Sequence, residues 1–224
     1  MIKDYSKPFI LWASPRTASS AFFYEYAKRN NIEIMKSNHE PLSPPSDKVK
    51  IEDFLKKQIS FKFMLVGYNQ HLKEYYQIQQ LYNSFPALDY NHIIIYRKDV
   101  YARHKSLLFS LTTDIWHSKH FTESKCKNWN NPNRFFASHK DSTGKLKRAL
   151  DKSVELIDIF EKENLNYQIV EFEDACKYIG KDTSQGTKAY YDDYEDLELK
   201  QKLEDIFYGH EFYKRIKSPS YTKA

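Results

Sequence analysis

Pro15-Arg16-Thr17-Ala18-Ser19-Ser20 packs one guanidinium and three hydroxyls into six residues. Arginine presents a planar fork of N–H donors that stays charged at any physiological pH, and Ser and Thr add short donors beside it. The apolar run Phe9, Ile10, Leu11, Trp12 stands just before this stretch, and a helical pattern follows it. A strand-to-helix junction is where α/β chains hold anions, because the first N–H groups of a helix have no internal partner and the helix dipole is positive there. The donor set suits a phosphate or a sulfonate. Taken alone, the same Ser/Thr-rich junction is also explained as a helix cap.

A second basic group follows Ile93, Ile94 and Ile95, in Tyr96-Arg97-Lys98-Asp99. Arg103 and Ser106 lie three positions apart, on one side of the helix that Asp99 starts and close to the strand end carrying Arg97. Two arginines and a hydroxyl suit a second phosphate. A solvated Arg/Lys helix paired with Asp99 is the plainer explanation of those residues by themselves.

Other polar residues fall on the same edge. His39 and Glu40, in "NHEPL", are placed to accept a proton, although an exposed loop imidazole and carboxylate would read the same way. Lys62, in "FKFML", and His71 flank a strand and are candidates to face the anion or an acceptor; a strand-edge lysine facing water is the alternative. Glu173 and Asp174 are expected to cap the helix after the last strand. Trp116, Trp129, Phe135 and Phe136 either shape an acceptor pocket or pack in the core.

No Walker A pattern GxxxxGK[ST] and no GxGxxG is present, which disfavours ordinary nucleotide kinases and dinucleotide-binding dehydrogenases. Cys126 and Cys176 lie far apart with no CxxC spacing, so they are expected to be reduced thiols, and no clustered ligands for a metal are seen. The chain has 224 residues, 41% of them hydrophobic, enough for one sizeable core, so residues 1–224 are read as one domain. The formal net charge of +5 fits an anionic ligand and is modest for a dedicated nucleic-acid binder. No signal peptide or span of about 20 apolar residues is seen, which gives a cytoplasmic expectation and no membrane span.

The elements that must position these residues alternate. Strands are expected at residues 9–13, 32–35, 61–66, around the triple isoleucine 93–95 and at 167–172, with helices at 19–29, 51–58, 71–82, from Asp99 to about residue 111, 143–164 and 196–207. Residues 113–142 resist assignment, with three of the eight histidines and "NWNNPNRFF". Alternation of this kind implies an α/β fold: a mainly parallel sheet of about five strands, right-handed crossovers and helices on both faces. Ligands then bind beyond the carboxyl ends of the strands, where residues 13–20, 36–40, 67–71, 96–99 and 172–174 would all lie.

"PRTASS" after the first strand and "IIYRKDVYARHKSLL" after a later one resemble the two cofactor motifs of sulfotransferases that use 3'-phosphoadenosine 5'-phosphosulfate (PAPS). The first motif of that family has the form P-[RK]-[ST]-G-[ST]-[ST]; Pro15, Arg16, Thr17, Ser19 and Ser20 match, and Ala18 stands where glycine is usual. The resemblance implies that these residues with the loop amides hold the 5'-phosphosulfate. It also implies that Arg97 and Ser106 grip the 3'-phosphate, with Lys98 or Arg103 sharing it. The nine-residue spacing from Arg97 to Ser106 resembles bacterial and phage-type members such as trehalose sulfotransferase. Glu40-Pro41-Leu42 is similar to the segment that supplies a glutamate base in some members, which makes Glu40 the first choice and His39 the second; Arg16 would stabilise the leaving phosphate. The implied fold is P-loop NTPase-like, and the implied acceptor is a hydroxyl or amine of a small molecule, glycan or lipid. The alternative is a non-catalytic nucleotide or nucleic-acid binding protein that keeps the same basic edge.

Overall fold

The computed structural model describes residues 2–34, 59–65, 90–115, 122–130, 141–180, 191 and 193–218. At its centre lies β1 (Phe9–Ala13), all five residues of which are buried. An unbroken apolar strand is what a parallel sheet covered on both faces requires. β1 pairs in parallel with β2 (Phe61–Met64) on one side and β3 (Asn91–Tyr96) on the other, and β3 pairs in parallel with β4 (Tyr167–Glu171). The strand order is therefore β2-β1-β3-β4. Ile34 makes a single parallel bridge with Ser60, just ahead of β2. Among the described residues the strand expected at 32–35 is represented by that bridge alone, so the described sheet has four strands where about five were expected.

Side-chain alternation along the strands sorts the core into two layers. Phe9, Leu11, Ala13, Ile93 and Ile95 face α1 (Ser19–Arg29), meeting Phe22, Phe23 and Tyr26, while α5 (Phe172–Ile179) adds Ala175. Ile10, Trp12, Phe61, Phe63 and Ile94 form the opposite layer. That layer is covered by the start of α2 (Val100–Thr113), by α4 (Ser142–Lys162), and by α6 (Leu197–Gly209) and α7 (Glu211–Lys217). Trp12 anchors it: its ring stacks on Phe63 at 5.0 Å, and its indole Nε1 donates to His92 Nδ1 at 3.1 Å, which satisfies the buried N–H. His92 in turn stacks on Phe160 of α4 at 4.3 Å.

Local chemistry sets the helix ends. Asp99 Oδ1 accepts from Ala102 N at 2.8 Å and starts α2, and Asp196 Oδ1 accepts from Leu199 N at 2.9 Å and starts α6. α5 stops at Gly180, whose φ of 74° is the left-handed conformation that glycine adopts without strain. Glu173 and Asp174 do not cap α5: Glu171 is the N-cap residue and the two acids occupy the first turn, where they complement the helix dipole. A short α3 (Glu123–Cys126) and a 3-10 turn (Lys127–Asn130) occupy part of the segment that resisted assignment. Trp129 from that turn packs on Phe109 and Tyr194, at 5.5 and 6.0 Å between ring centres.

This topology creates one distinctive place. The chain leaves β1 for β2 on one side of the sheet, and leaves β3 for β4 on the other. Between the carboxyl ends of β1 and β3 the connections diverge, and such a switch point opens a crevice where α/β proteins bind ligands. Both basic motifs start there. Among the described residues no helix is long and apolar enough to cross a membrane.

Candidate functional site

β1 ends at Ala13, and five residues connect it to α1. Thr17, fully buried, donates its hydroxyl to the carbonyl of Ser14 at 2.8 Å and closes the turn internally. Arg16 and Ala18 both have positive φ, 65° and 54°. Left-handed backbone costs a residue with a Cβ about 1–2 kcal/mol, and two such residues within three positions mark a turn held against its preference. The N-cap residue of α1 is Ala18, whose side chain accepts no hydrogen bond. Hydroxyl capping of α1, the plainer explanation of the Ser/Thr-rich stretch, is therefore not what these residues do.

The hydroxyls are engaged otherwise. Lys62, on the neighbouring strand β2, brings its Nζ to 2.8 Å from Ser20 Oγ and 3.3 Å from Ser19 Oγ. Its side chain is only 2% exposed, so a strand lysine facing water is ruled out. Arg16 crosses to the second motif, its Nε donating to Ser106 Oγ at 2.8 Å. That one bond joins the loop after β1 to the helix after β3.

The charge of Arg97 acts on both Arg16 and Arg103. Burial pushes Arg16 below its ordinary value; the Tyr191 phenol opposes that shift, and the positive charge of Arg97 adds to it. Arg103 is held down to about 10, first by burial and then by Arg97, and is still a cation at neutral pH. Arg97 lays its guanidinium carbon 4.3 Å from the centre of the Phe172 ring, a cation–π contact that fixes its plane. The Nε atoms of Arg97 and Arg103 are both buried and without a hydrogen-bond partner. Among the described residues neither arginine forms an ion pair. Buried donors are nearly always satisfied in folded proteins, so two orphaned guanidinium nitrogens beside a third arginine call for an acceptor-rich anion.

Arg103 lines a separate small pocket with Leu107, Ser142 and Lys145, whereas Arg97, alone of the three, lines a cavity of about 510 Å³, together with Lys98, Tyr101, Lys105, Glu171 and Tyr191 among others. That volume suits a small molecule of drug or nucleotide size. Its far wall is acidic, and the Glu171 carboxyl there is raised above its ordinary value by burial and by its neighbour Glu173, although Lys98 opposes this.

Of the residues expected at the site, Pro15, Arg16, Thr17, Ala18, Ser19, Ser20, Arg97, Lys98, Arg103 and Ser106 all belong to these two connected motifs, with Lys98 at the exposed rim. Glu40, His39, His71, Trp116, Phe135 and Phe136 lie outside the described residues. Trp129 packs against Phe109 rather than lining this cavity. Tyr191 and Phe172 are contributors that the motifs did not indicate; Phe172 falls in the 172–174 segment expected at this edge, whereas Tyr191 carries no sequence signal because it arrives from a distant segment.

Fold and site together define a class: a parallel α/β chain whose switch-point crevice concentrates buried cations and hydroxyls suited to an anion. No family model, no curated protein and no solved structure matches the chain.

Proposed function

We propose that this chain is a PAPS-dependent sulfotransferase acting on a hydroxyl or amine of a small-molecule, glycan or lipid acceptor. The observation that carries the reading is the bond from Arg16 Nε to Ser106 Oγ, with the orphaned Nε of Arg97, whose charge acts on Arg16. It unites the two motifs that resemble the family's cofactor-binding segments. A ligand bearing two anionic groups, one for each motif, fits this arrangement better than a single anion does. The strand order and the β1 loop leading into α1 also support a P-loop-like arrangement.

The residues present fit the cofactor. Arg16, Ser19 and Ser20 with the amides of the loop would hold its 5'-phosphosulfate, Thr17 only through its backbone because its hydroxyl is committed to Ser14, and Arg97, Ser106, Arg103 and Lys98 would hold its 3'-phosphate. When bound, PAPS supplies the sulfuryl group: an acceptor oxygen or nitrogen forms the new bond to sulfur as the bond to the 5'-phosphate oxygen breaks. Arg16 stabilises the charge that grows on that oxygen. The acceptor's proton passes to a base, a role assigned to Glu40 with His39 second. In-line positioning and charge neutralisation carry most of such a transfer, much as in phosphoryl transfer.

The test is a titration with the desulfated product, 3'-phosphoadenosine 5'-phosphate, paired with turnover of labelled PAPS on acceptor mixtures. Arg16→Ala and Arg97→Ala are each expected to weaken nucleotide binding by ten-fold or more, since each deletes a charge-assisted contact. Unchanged affinity in both variants would overturn the reading. Salt-steep binding of nucleic acid, with no preference for the 3'-phosphorylated nucleotide, would favour the non-catalytic alternative.

A further inference from the structure

We propose that Lys62 is a positioning residue whose ammonium fixes the hydroxyls of Ser19 and Ser20 as hydrogen-bond donors toward a tetrahedral oxyanion at the start of α1. The inference rests on the anion-site reading given above and not on the identity of the group transferred.

Lysine is among the residues least often buried, because desolvating an ammonium costs several kcal/mol unless something compensates it. Lys62 is nonetheless one of the largest fully buried side chains of the described residues. Its direction follows from the sheet. Phe61 and Phe63 face the layer under α4, so the residue between them faces the α1 layer, and its register partner Leu11 belongs to that layer too. From there the side chain reaches the first two residues of α1.

The chemistry of those contacts has a direction. An ammonium has three donors and no acceptor, so in both bonds the serine oxygen accepts and the serine's own proton must point elsewhere. Ser106 is in the same state, because Arg16 Nε donates to its oxygen. Two cations, approaching from β2 and from the β1 loop, thus turn three hydroxyls into oriented donors. The N-cap residue Ala18 offers no competing acceptor. A site of donors alone selects a face of ionised oxygens: sulfate, a phosphosulfate, or a phosphate or pyrophosphate with its proton on the far side matches, and a group that turns an O–H or N–H toward the site does not. Holding the donors in place before the ligand arrives also lowers the ordering cost of binding.

The experiment compares wild-type protein with Lys62→Met, Ser20→Ala and the double variant. Calorimetric titration is run with inorganic pyrophosphate and with 3'-phosphoadenosine 5'-phosphate, and melting of the ligand-free proteins is followed alongside. Lys62→Met is expected to weaken both ligands by ten-fold or more, with the ligand-free melting curve showing that the variant still folds. Ser20→Ala is expected to weaken them as well, and the double variant by less than the product of the single effects, because Lys62 acts through that hydroxyl. Wild-type affinity in Lys62→Met, or in Ser20→Ala should the first variant fail to fold, overturns the proposal and leaves the proposed function standing. Fully multiplicative effects in the double variant also overturn it. A wild-type chain that binds pyrophosphate but not the nucleotide, with Lys62→Met losing pyrophosphate, sinks the sulfotransferase reading and upholds the role of Lys62. Absence of binding to either ligand overturns both.

Discussion

Replacing Ala18 by glycine should stabilise the protein, although alanine-to-glycine changes usually do the opposite. Ala18 has φ 54° and ψ 18°, left-handed backbone in which a Cβ crowds the following carbonyl at a cost of about 1–2 kcal/mol. Glycine removes that cost and adds unfolded-state freedom and lost helix propensity totalling about 1 kcal/mol. The net expectation is a gain of about 0–1 kcal/mol, too small to interpret by itself. Ala21 supplies the control: it is partly buried like Ala18, three residues on, and lies in the regular first turn of α1. Ala21→Gly incurs the same glycine penalty with no relief of strain, so it should lose about 1 kcal/mol. The two variants therefore differ by about 1–2 kcal/mol. At about 2–4 °C per kcal/mol for a chain of this size, their melting temperatures should lie roughly 2–8 °C apart with Ala18→Gly the higher. Paired thermal and urea melts decide it. Equal melting temperatures, or the reverse order, would show that the backbone at Ala18 is not strained.

Asp99→Ala removes the side chain that accepts from Ala102 N, and should lower stability by about 1 kcal/mol in a urea titration. Because α2 carries Arg103 and Ser106, nucleotide affinity should fall with it. A second expectation concerns alkali. Tyr5, Tyr26, Tyr96, Tyr101, Tyr178 and Tyr194 are all raised above the ordinary phenol value, in each case first by burial, Tyr194 to about 12. A phenol whose value is higher folded than unfolded contributes stability that is whole below about pH 10 and is lost as pH rises through the folded value. Arg16, Arg103, Lys145 and Lys152, each lowered in the fold first by burial, pull the other way, but the six phenols outnumber these four. Urea midpoints should hold up to about pH 10 and fall above it, with tyrosinate absorbance appearing as the protein unfolds; a midpoint unchanged well above that pH would contradict the assignment.

The elements that frame the site were legible where local signals were strong. β1 and α1 fall at Phe9–Ala13 and Ser19–Arg29, as the apolar run and the helical pattern require. α2 begins after Asp99 because an aspartate can cap there. The pairing of the two basic motifs was legible too, since each stands at the end of an apolar strand. What was not legible depends on distance. Nothing local says that Arg16 bonds to Ser106, that Phe172 lies under Arg97, or that Lys62, a candidate to face the anion, reaches Ser19 and Ser20. α7 escaped because it is seven residues long and its N-cap is His210, whose Nδ1 accepts from Phe212 N where a Ser, Thr, Asp or Asn would be the usual sign. The strand expected at 32–35 shows the converse: alternating isoleucines are compatible with a strand, but among the described residues Ile34 alone makes a bridge, to Ser60.

The bond between Arg16 and Ser106 spans 90 residues of chain. That contact depends on β1 and β3 being paired first, so it is expected to form late in folding. An interaction absent from the folding transition state changes how fast the native chain opens and leaves its rate of formation alone. A dianion seated across both motifs would therefore act as a kinetic latch. It would lengthen the lifetime of the folded protein, as measured by resistance to a protease, while refolding from urea ran at the same speed with or without it.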